Sequence, residues 1–107
     1  MLLLDLICLV NSNKMRGRCV AGLRVDGKGW IRPIAPDTDH GQFFLHHFQL
    51  DDGSEPKVLD LIRLNLAHAQ PVPGQPENWV VGKERWILTQ PSQLRRVFRR
   101  SRAGRAE

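Results

Sequence analysis

The chain has 107 residues, 41% of them apolar, and a formal net charge of +5. This length supports one domain with a modest core, and the apolar fraction is too high for a disordered chain. Seven prolines and nine glycines among strongly β-type runs favour an all-β fold with many turns.

The positive charge is concentrated at the C-terminus. Residues 1–91 carry ten Lys or Arg and ten Asp or Glu, so this part is neutral. The whole excess comes from residues 92–107, where Glu107 is outnumbered by Arg95, Arg96, Arg99, Arg100, Arg102 and Arg105. The basic character of the chain therefore describes this tail and not the body of the protein.

The first third of the chain predicts three consecutive strands. Residues 1–10 are almost continuously apolar, which is typical of a strand that is buried on both faces. A polar run over 11–16 leads to Gly17, which can supply a backbone angle that other residues resist. Residues 18–25 then run back as a second strand.

A second turn follows, because Asp26-Gly27-Lys28-Gly29 is a strong turn signal. Residues 30–34 close a third strand. Three strands joined by short turns describe a β-meander that can seed a small barrel.

Between residues 35 and 91, short apolar runs alternate with segments rich in proline, glycine and polar residues that interrupt regular structure. Residues 41–50 fit either a strand or a short helix that plugs a barrel between its third and fourth strands. Residues 58–66 predict the next strand, and 77–81 and 85–88 predict two last short strands. A helix is expected from Ser92 onward, since Ser92 can cap it and apolar residues recur there at helical spacing.

Four ordered motifs between residues 5 and 81 carry a family resemblance. They are Asn11-Ser12-x-Lys14 leading into Gly17-Arg18-Cys19-Val20-Ala21-Gly22, Trp30-Ile31-Arg32-Pro33, Val58-Leu59-Asp60-Leu61-Ile62 and Gln75-Pro76-Glu77-Asn78-Trp79. This set resembles prokaryotic proteins named for a dual OB domain. The resemblance implies a nucleic-acid-binding β-barrel that is linked to bacterial defence or conflict systems and has no established catalytic residues. It also implies two barrels, whereas this length has room for one.

The expected architecture is an all-β fold, a small OB-like β-barrel with a short helix between strands and a basic C-terminal helix. The barrel covers residues 1–91, and the arginine-rich helical tail covers 92–107.

The N-terminal run is too short to span a bilayer, and it lacks the basic start and cleavage site of a signal peptide. Cys8 and Cys19 are expected to be reduced thiols. A cytoplasmic protein without membrane association is predicted.

No residue pattern predicts catalysis, a metal site or a cofactor. No spacing matches a zinc or calcium site, and adjacent histidines on a strand point to opposite faces. Surface or core-edge positions are therefore expected for His40, His46, His47 and His68. Asp60, the odd polar residue of an apolar strand, is expected to bond a turn or an arginine such as Arg18 or Arg32.

Nucleic-acid binding has more support from the residues. Lys14, Arg16 and Arg18 place three cations in the first loop, where they suit phosphates. Trp30 and Arg32 lie two residues apart and so share one face of their strand. If that face is outward, they form a stacking and charge pair for nucleotides. If it is inward, Trp30 belongs to the core and Arg32 pairs with Asp60. We favour the inward placement because a small barrel needs large core residues.

Two further elements have double interpretations. Trp79 either caps the open end of the barrel, which we favour, or stacks on a base. The tail arginines Arg95, Arg96, Arg99 and Arg100 either neutralise phosphates or form a solvated helix.

The predicted function is therefore a non-catalytic module that binds nucleic acid or a nucleotide, with single-stranded DNA or RNA as partner. One alternative is a protein-interaction module that forms a homodimer or docks to a partner subunit. The other is a reader of a small molecule or modified base, with its pocket near Asp60 and Trp79.

Overall fold

A computed structural model describes residues 2–38 and 40–92 of the chain. Within these residues the chain forms six strands and one helix: β1 Leu2–Lys14, β2 Gly17–Arg24, β3 Trp30–Ile34, α1 Leu45–Phe48, β4 Leu61–Ala69, β5 Asn78–Val81 and β6 Ile87–Gln90. The predicted C-terminal helix lies outside the described residues. No helix in the described part is long and apolar enough to cross a membrane.

The strands form a closed barrel. Their order is β1-β2-β3-β5-β4, and β4 pairs again with β1, so that five strands complete the circle and β6 adds to β4. β3 and β5 pair in parallel, whereas the other pairs are antiparallel. This is the Greek-key arrangement of an OB fold, with α1 between β3 and β4. The predicted all-β, OB-like barrel is confirmed.

β1 is longer and less buried than its sequence predicts. The strand has alternating burial, with Leu4, Leu6 and Cys8 inside, and Leu3 is 58% exposed. Burial on both faces is therefore wrong, because only one face of this strand meets the core. Residues 2–7 of β1 pair with β4 and residues 6–14 pair with β2, where the register shifts between Cys8 and Val10.

The core is centred on aromatic residues that close one end of the barrel. The ring of Trp86 is 1% exposed and meets Phe43 edge to face, with 5.1 Å between centroids. Phe48 of α1 packs against both rings. The short helix therefore plugs the barrel between the third and fourth strands.

β4 and β6 begin later than predicted, at Leu61 rather than residue 58 and at Ile87 rather than residue 85. Asp60, just before β4, is fully buried. Its two carboxylate oxygens accept hydrogen bonds from the backbone amides of Lys57 and Ser92, each at 2.8 Å. The predicted structural bond to a turn is thus observed.

Candidate nucleic-acid interface

The β1–β2 hairpin ends in a two-residue turn. Lys14 pairs with Gly17, and the two residues between them, Met15 and Arg16, have φ angles of 46° and 68°. Positive φ at both central positions is the type I′ geometry, for which Asn-Gly is preferred. Met and Arg in the left-handed region each cost about 1 kcal/mol. Because strained backbone is concentrated at functional sites, the exposed side chains of this turn are candidates for a binding role.

Gly17 has a different role from the one its sequence position suggests. The sequence predicts a positive φ at Gly17, but the preceding two residues adopt it. Gly17 instead allows a close approach, since a Cβ atom there would collide with the carbonyl oxygen of Phe43. The adjoining Arg18 exchanges two backbone hydrogen bonds with Phe43, so the hairpin is fixed to the plug end of the barrel.

The three predicted cations lie together at this hairpin. Among residues 2–38 and 40–92, Lys14 and Arg16 form no ion pair. Arg18 donates to the side chain of Asn13 at 2.5 Å and lies 3.8 Å from Glu55. Lys14 and Arg16 are therefore the cations available to a phosphate, while Arg18 is partly committed to its neighbours.

Trp30 and Arg32 face outward from β3. The alternation of the strand places Ile31 and Pro33 inside, and Trp30 is 51% exposed. The preferred core placement of Trp30 is wrong, because Trp86 fills the barrel end instead. The outward alternative, in which Trp30 and Arg32 share the outer face of β3, is the one observed.

Arg32 is held by two side chains. Its Nε donates to Oε1 of Glu77 at 3.0 Å, and its Nη1 donates to the sulfur of Cys19 at 3.1 Å. The expected pairing of Arg32 with Asp60, which depended on an inward side chain, is therefore wrong. The backbone amide of Glu77 and then the guanidinium of Arg32 lower the pKa of the Glu77 carboxyl, so it is ionised at neutral pH.

These side chains border a groove of about 400 Å³ on the barrel surface. It is lined by Val10, Ala21, Trp30, Arg32 and Glu77, and this set is called the β3 groove below. The groove combines an apolar floor, an aromatic wall and a charged end. Ala21 in this groove lies four residues along β2 from Gly17, or roughly 13 Å at the rise of an extended strand.

Other predicted binding residues lie elsewhere. Trp79 is half-buried and packs against the core, and it does not line the β3 groove. The tail arginines Arg95, Arg96, Arg99 and Arg100 lie outside the described residues. The sequence does not predict Glu77 as a binding residue. The Pro76-Glu77-Asn78 segment carries no local signal that Glu77 meets a cation on another strand.

Asp37, His46 and His47 bring their ligand atoms within 4.8 Å of one another. The strand-based expectation that His46 and His47 point apart is wrong, because the segment is helical and their rings are 3.9 Å apart. The Nδ1 of His47 accepts from the backbone amide of Phe44 at 2.9 Å, and its Nε2 lies 2.7 Å from Asp37. An accepting Nδ1 places the proton on Nε2, which leaves neither nitrogen free for a metal. His47 caps α1 instead.

The thiols do not indicate a reactive site. Cys8 and Cys19 are both free. Burial, and then the charge of Asp60, raise the pKa of the Cys8 thiol to about 11, so little thiolate forms at neutral pH. Cys19 serves as the acceptor that steadies Arg32.

Comparison with known proteins agrees with this architecture. A family model described as Dual OB-containing domain matches residues 4–101. A search of curated proteins and a search of solved structures each return no match. The family match covers most of the sequence, and the chain therefore belongs to the dual OB-containing domain family.

Proposed function

We propose that this protein binds single-stranded nucleic acid, DNA or RNA, across the outer face of β2 and β3. The observation that carries the proposal is the exposed indole of Trp30, which borders the same groove on the barrel wall as the guanidinium of Arg32. Small barrels bind single strands by stacking bases on such aromatic faces while cations contact the backbone. OB folds use this strand pair, with the loops that join strands 1 to 2 and 4 to 5, for oligonucleotides.

The distribution of positive charge supports a path for the nucleic acid across this face. Lys14 and Arg16 lie at the β1–β2 turn, and Lys28 lies in the β2–β3 turn. Within the described ranges none of these three takes part in an ion pair. The β3 groove lies on the same strand pair, so phosphates have cations available at both hairpins. The tail arginines add sequence-independent affinity in this proposal.

The proposed activity is non-catalytic. The polar groups that resemble catalytic candidates have structural partners, since Asp60 bonds two backbone amides and His47 caps α1. A cytoplasmic location and a role in a prokaryotic defence system complete the proposal. Both come from the sequence and the family resemblance.

Fluorescence anisotropy with labelled oligothymidylate and oligouridylate tests the proposal at about 50 and 200 mM salt. We expect binding that weakens as salt rises. Trp30→Ala is expected to reduce affinity roughly five-fold or more, because one stacked base contributes about 1–3 kcal/mol. Lys14→Ala with Arg16→Ala is expected to lower both affinity and salt dependence.

A charge-matched control removes cations elsewhere. Lys83 and Arg85 are exposed and follow β5 at the end away from Arg32. Lys83→Ala with Arg85→Ala removes the same charge as the hairpin pair and is expected to change affinity much less. Binding at this face would be refuted if the two double variants lost affinity equally, or if Trp30→Ala retained full affinity.

A further inference from the structure

A carboxylate borders the β3 groove, on a surface that we propose binds a polyanion. Glu77 is ionised, and a carboxylate repels phosphate. The charged end of the groove is therefore unsuited to the backbone of a nucleic acid. It suits a group that presents hydrogen-bond donors, and in a nucleic acid those are on the edges of bases.

Each member of the charged pair keeps bonding capacity on its open side. Arg32 uses Nε and Nη1. The carboxylate of Glu77 has about four acceptor sites, of which Arg32 and the backbone amide of Glu77 itself use two. Among residues 2–38 and 40–92, Nη2 of Arg32 and Oε2 of Glu77 have no hydrogen-bond partner on another residue. The two side chains are 27% and 24% exposed, so a ligand in the groove can reach both.

The pair is also fixed in place. The backbone amide of Arg32 donates to the carbonyl oxygen of Glu77 at 3.1 Å, at the start of the parallel β3–β5 ladder. Main-chain and side-chain bonds thus join the same two residues, and the sulfur of Cys19 restrains the guanidinium from a third direction. A site held in this way loses little conformational entropy when a ligand binds.

The four bases differ in what they offer a carboxylate. Guanine carries two adjacent donors, N1–H and the 2-amino group, which match the two oxygens of a carboxylate, and its O6 accepts from a guanidinium. Adenine and cytosine place a ring acceptor beside their amino group, and its lone pair opposes a carboxylate. Uracil and thymine have one N–H between two carbonyl groups. Among neutral bases, guanine alone satisfies the carboxylate with both donors.

We infer that the β3 groove takes one nucleobase, stacked on Trp30, and selects guanine through its contacts with Glu77 and Arg32. The inference rests on the proposed function and adds base specificity to it. In this arrangement Glu77 accepts from N1–H and the 2-amino group, while Nη2 of Arg32 donates to O6. The cations of the hairpins hold the backbone of the flanking nucleotides.

The test compares labelled oligothymidylates that carry one central guanine, adenine, cytosine or hypoxanthine. Affinity for the guanine oligomer is expected to exceed that for the adenine and cytosine oligomers about ten-fold. Hypoxanthine differs from guanine only by the missing 2-amino group, and its oligomer is expected to lose most of the preference. The ratio is expected to persist when salt rises, although every affinity falls, because uncharged bases release no counterions.

Variants separate base reading from backbone binding. Glu77→Gln removes one acceptor of the carboxylate and is expected to abolish the guanine preference, which is measured as the ratio of the affinities of this one variant for the guanine and adenine oligomers. Trp30→Phe keeps a stacking ring and is expected to keep the preference. The hypoxanthine comparison uses the unaltered protein, so it tests the inference even if Glu77→Gln does not fold.

The possible failures are distinguishable. If all central bases bind equally and tightly, selection of guanine is refuted while nucleic-acid binding stands. The same conclusion follows if Glu77→Gln retains the full preference. If no oligomer binds at low salt, both the inference and the proposed function are refuted.

Discussion

The Nε atom of Arg32 and the Oε1 atom of Glu77 lie 3.0 Å apart, although 45 residues separate them in sequence. The ion pair joins β3 to the segment that leads into β5, next to the parallel pairing of Arg32 with Asn78. It therefore stabilises the closure of the barrel and also shapes the charged end of the β3 groove.

This ion pair predicts a pH-dependent contribution to stability. The folded-state pKa of Glu77 is below its ordinary value of 4.5, so the stabilisation is fully present above pH 4.5 and is lost as pH falls through the folded-state pKa. Glu77→Gln is expected to lower the free energy of unfolding by about 0.5–1 kcal/mol at pH 7. Urea unfolding at pH 7 and near pH 3 is expected to show this difference shrinking at the lower pH. A constant difference would contradict this prediction.

The β1–β2 turn predicts a conflict between stability and binding. Met15→Asn with Arg16→Gly gives the turn its preferred residues and is expected to raise the free energy of unfolding by about 1–2 kcal/mol. The same change is expected to weaken oligonucleotide binding, because it removes the Arg16 cation. Met15→Asn alone is the control, expected to stabilise the fold at full affinity. Thermal unfolding and anisotropy measure the two effects, and a stabilised double variant with full affinity would remove Arg16 from the interface.

Trp30 and Trp86 are expected to behave oppositely when truncated. Trp86→Ala removes a fully buried ring from the aromatic plug and is expected to cost about 3–5 kcal/mol. Trp30→Ala removes an exposed ring and is expected to change stability by about 0.5 kcal/mol or less, while binding weakens sharply. Chemical denaturation of both variants checks the first part. A large destabilisation by Trp30→Ala would indicate a packing role that its exposure does not explain.

Gly17→Ala is predicted to be among the more destabilising small changes in the hairpin. The added methyl group meets the backbone carbonyl of Phe43, which cannot move without disturbing the two bonds that Arg18 makes there. A decrease of about 1–3 kcal/mol in the free energy of unfolding is expected in urea denaturation. Ser12→Ala, at an exposed position of the same hairpin, is the control and is expected to change stability by about 0.5 kcal/mol or less.

Deletion of residues 93–107 tests the tail. Removing its arginines is expected to lower affinity for every oligonucleotide and to reduce the slope of log affinity against log salt by about 0.7 for each phosphate that the tail neutralises in the intact protein. The guanine preference is expected to remain, since it is assigned to the β3 groove. An unchanged salt slope would show that the tail arginines do not bind phosphate.

The order of the first strands could be predicted from the sequence, because Asp26-Gly27-Lys28-Gly29 is a strong turn signal and a polar run precedes Gly17. The sequence does not indicate, however, which of the two tryptophans is buried. Trp30 and Trp86 both lie in short apolar runs, and the outcome depends on where Phe43 and α1 close the barrel. That closure is a tertiary feature with no local signature.

The candidate site could be predicted in part for a similar reason. The spacing of Trp30 and Arg32 shows that they share a face, but it leaves the direction of that face open. Glu77 could not be recognised as their neighbour, because the parallel β3–β5 ladder that brings it there joins distant segments. The pattern within one strand shows which side chains share a face. Which strand pairs with which depends on the topology of the whole barrel.

The two-sided pairing of β1 has a consequence for biosynthesis. Its first half pairs with β4, with Leu2 opposite Leu66, so the leucines of β1 leave the ribosome well before the strand that they pair with has been translated. Loop closure over such a separation is slow. During that interval the nascent chain exposes an apolar strand whose backbone groups have no partner in the chain, and such an edge favours pairing with other chains.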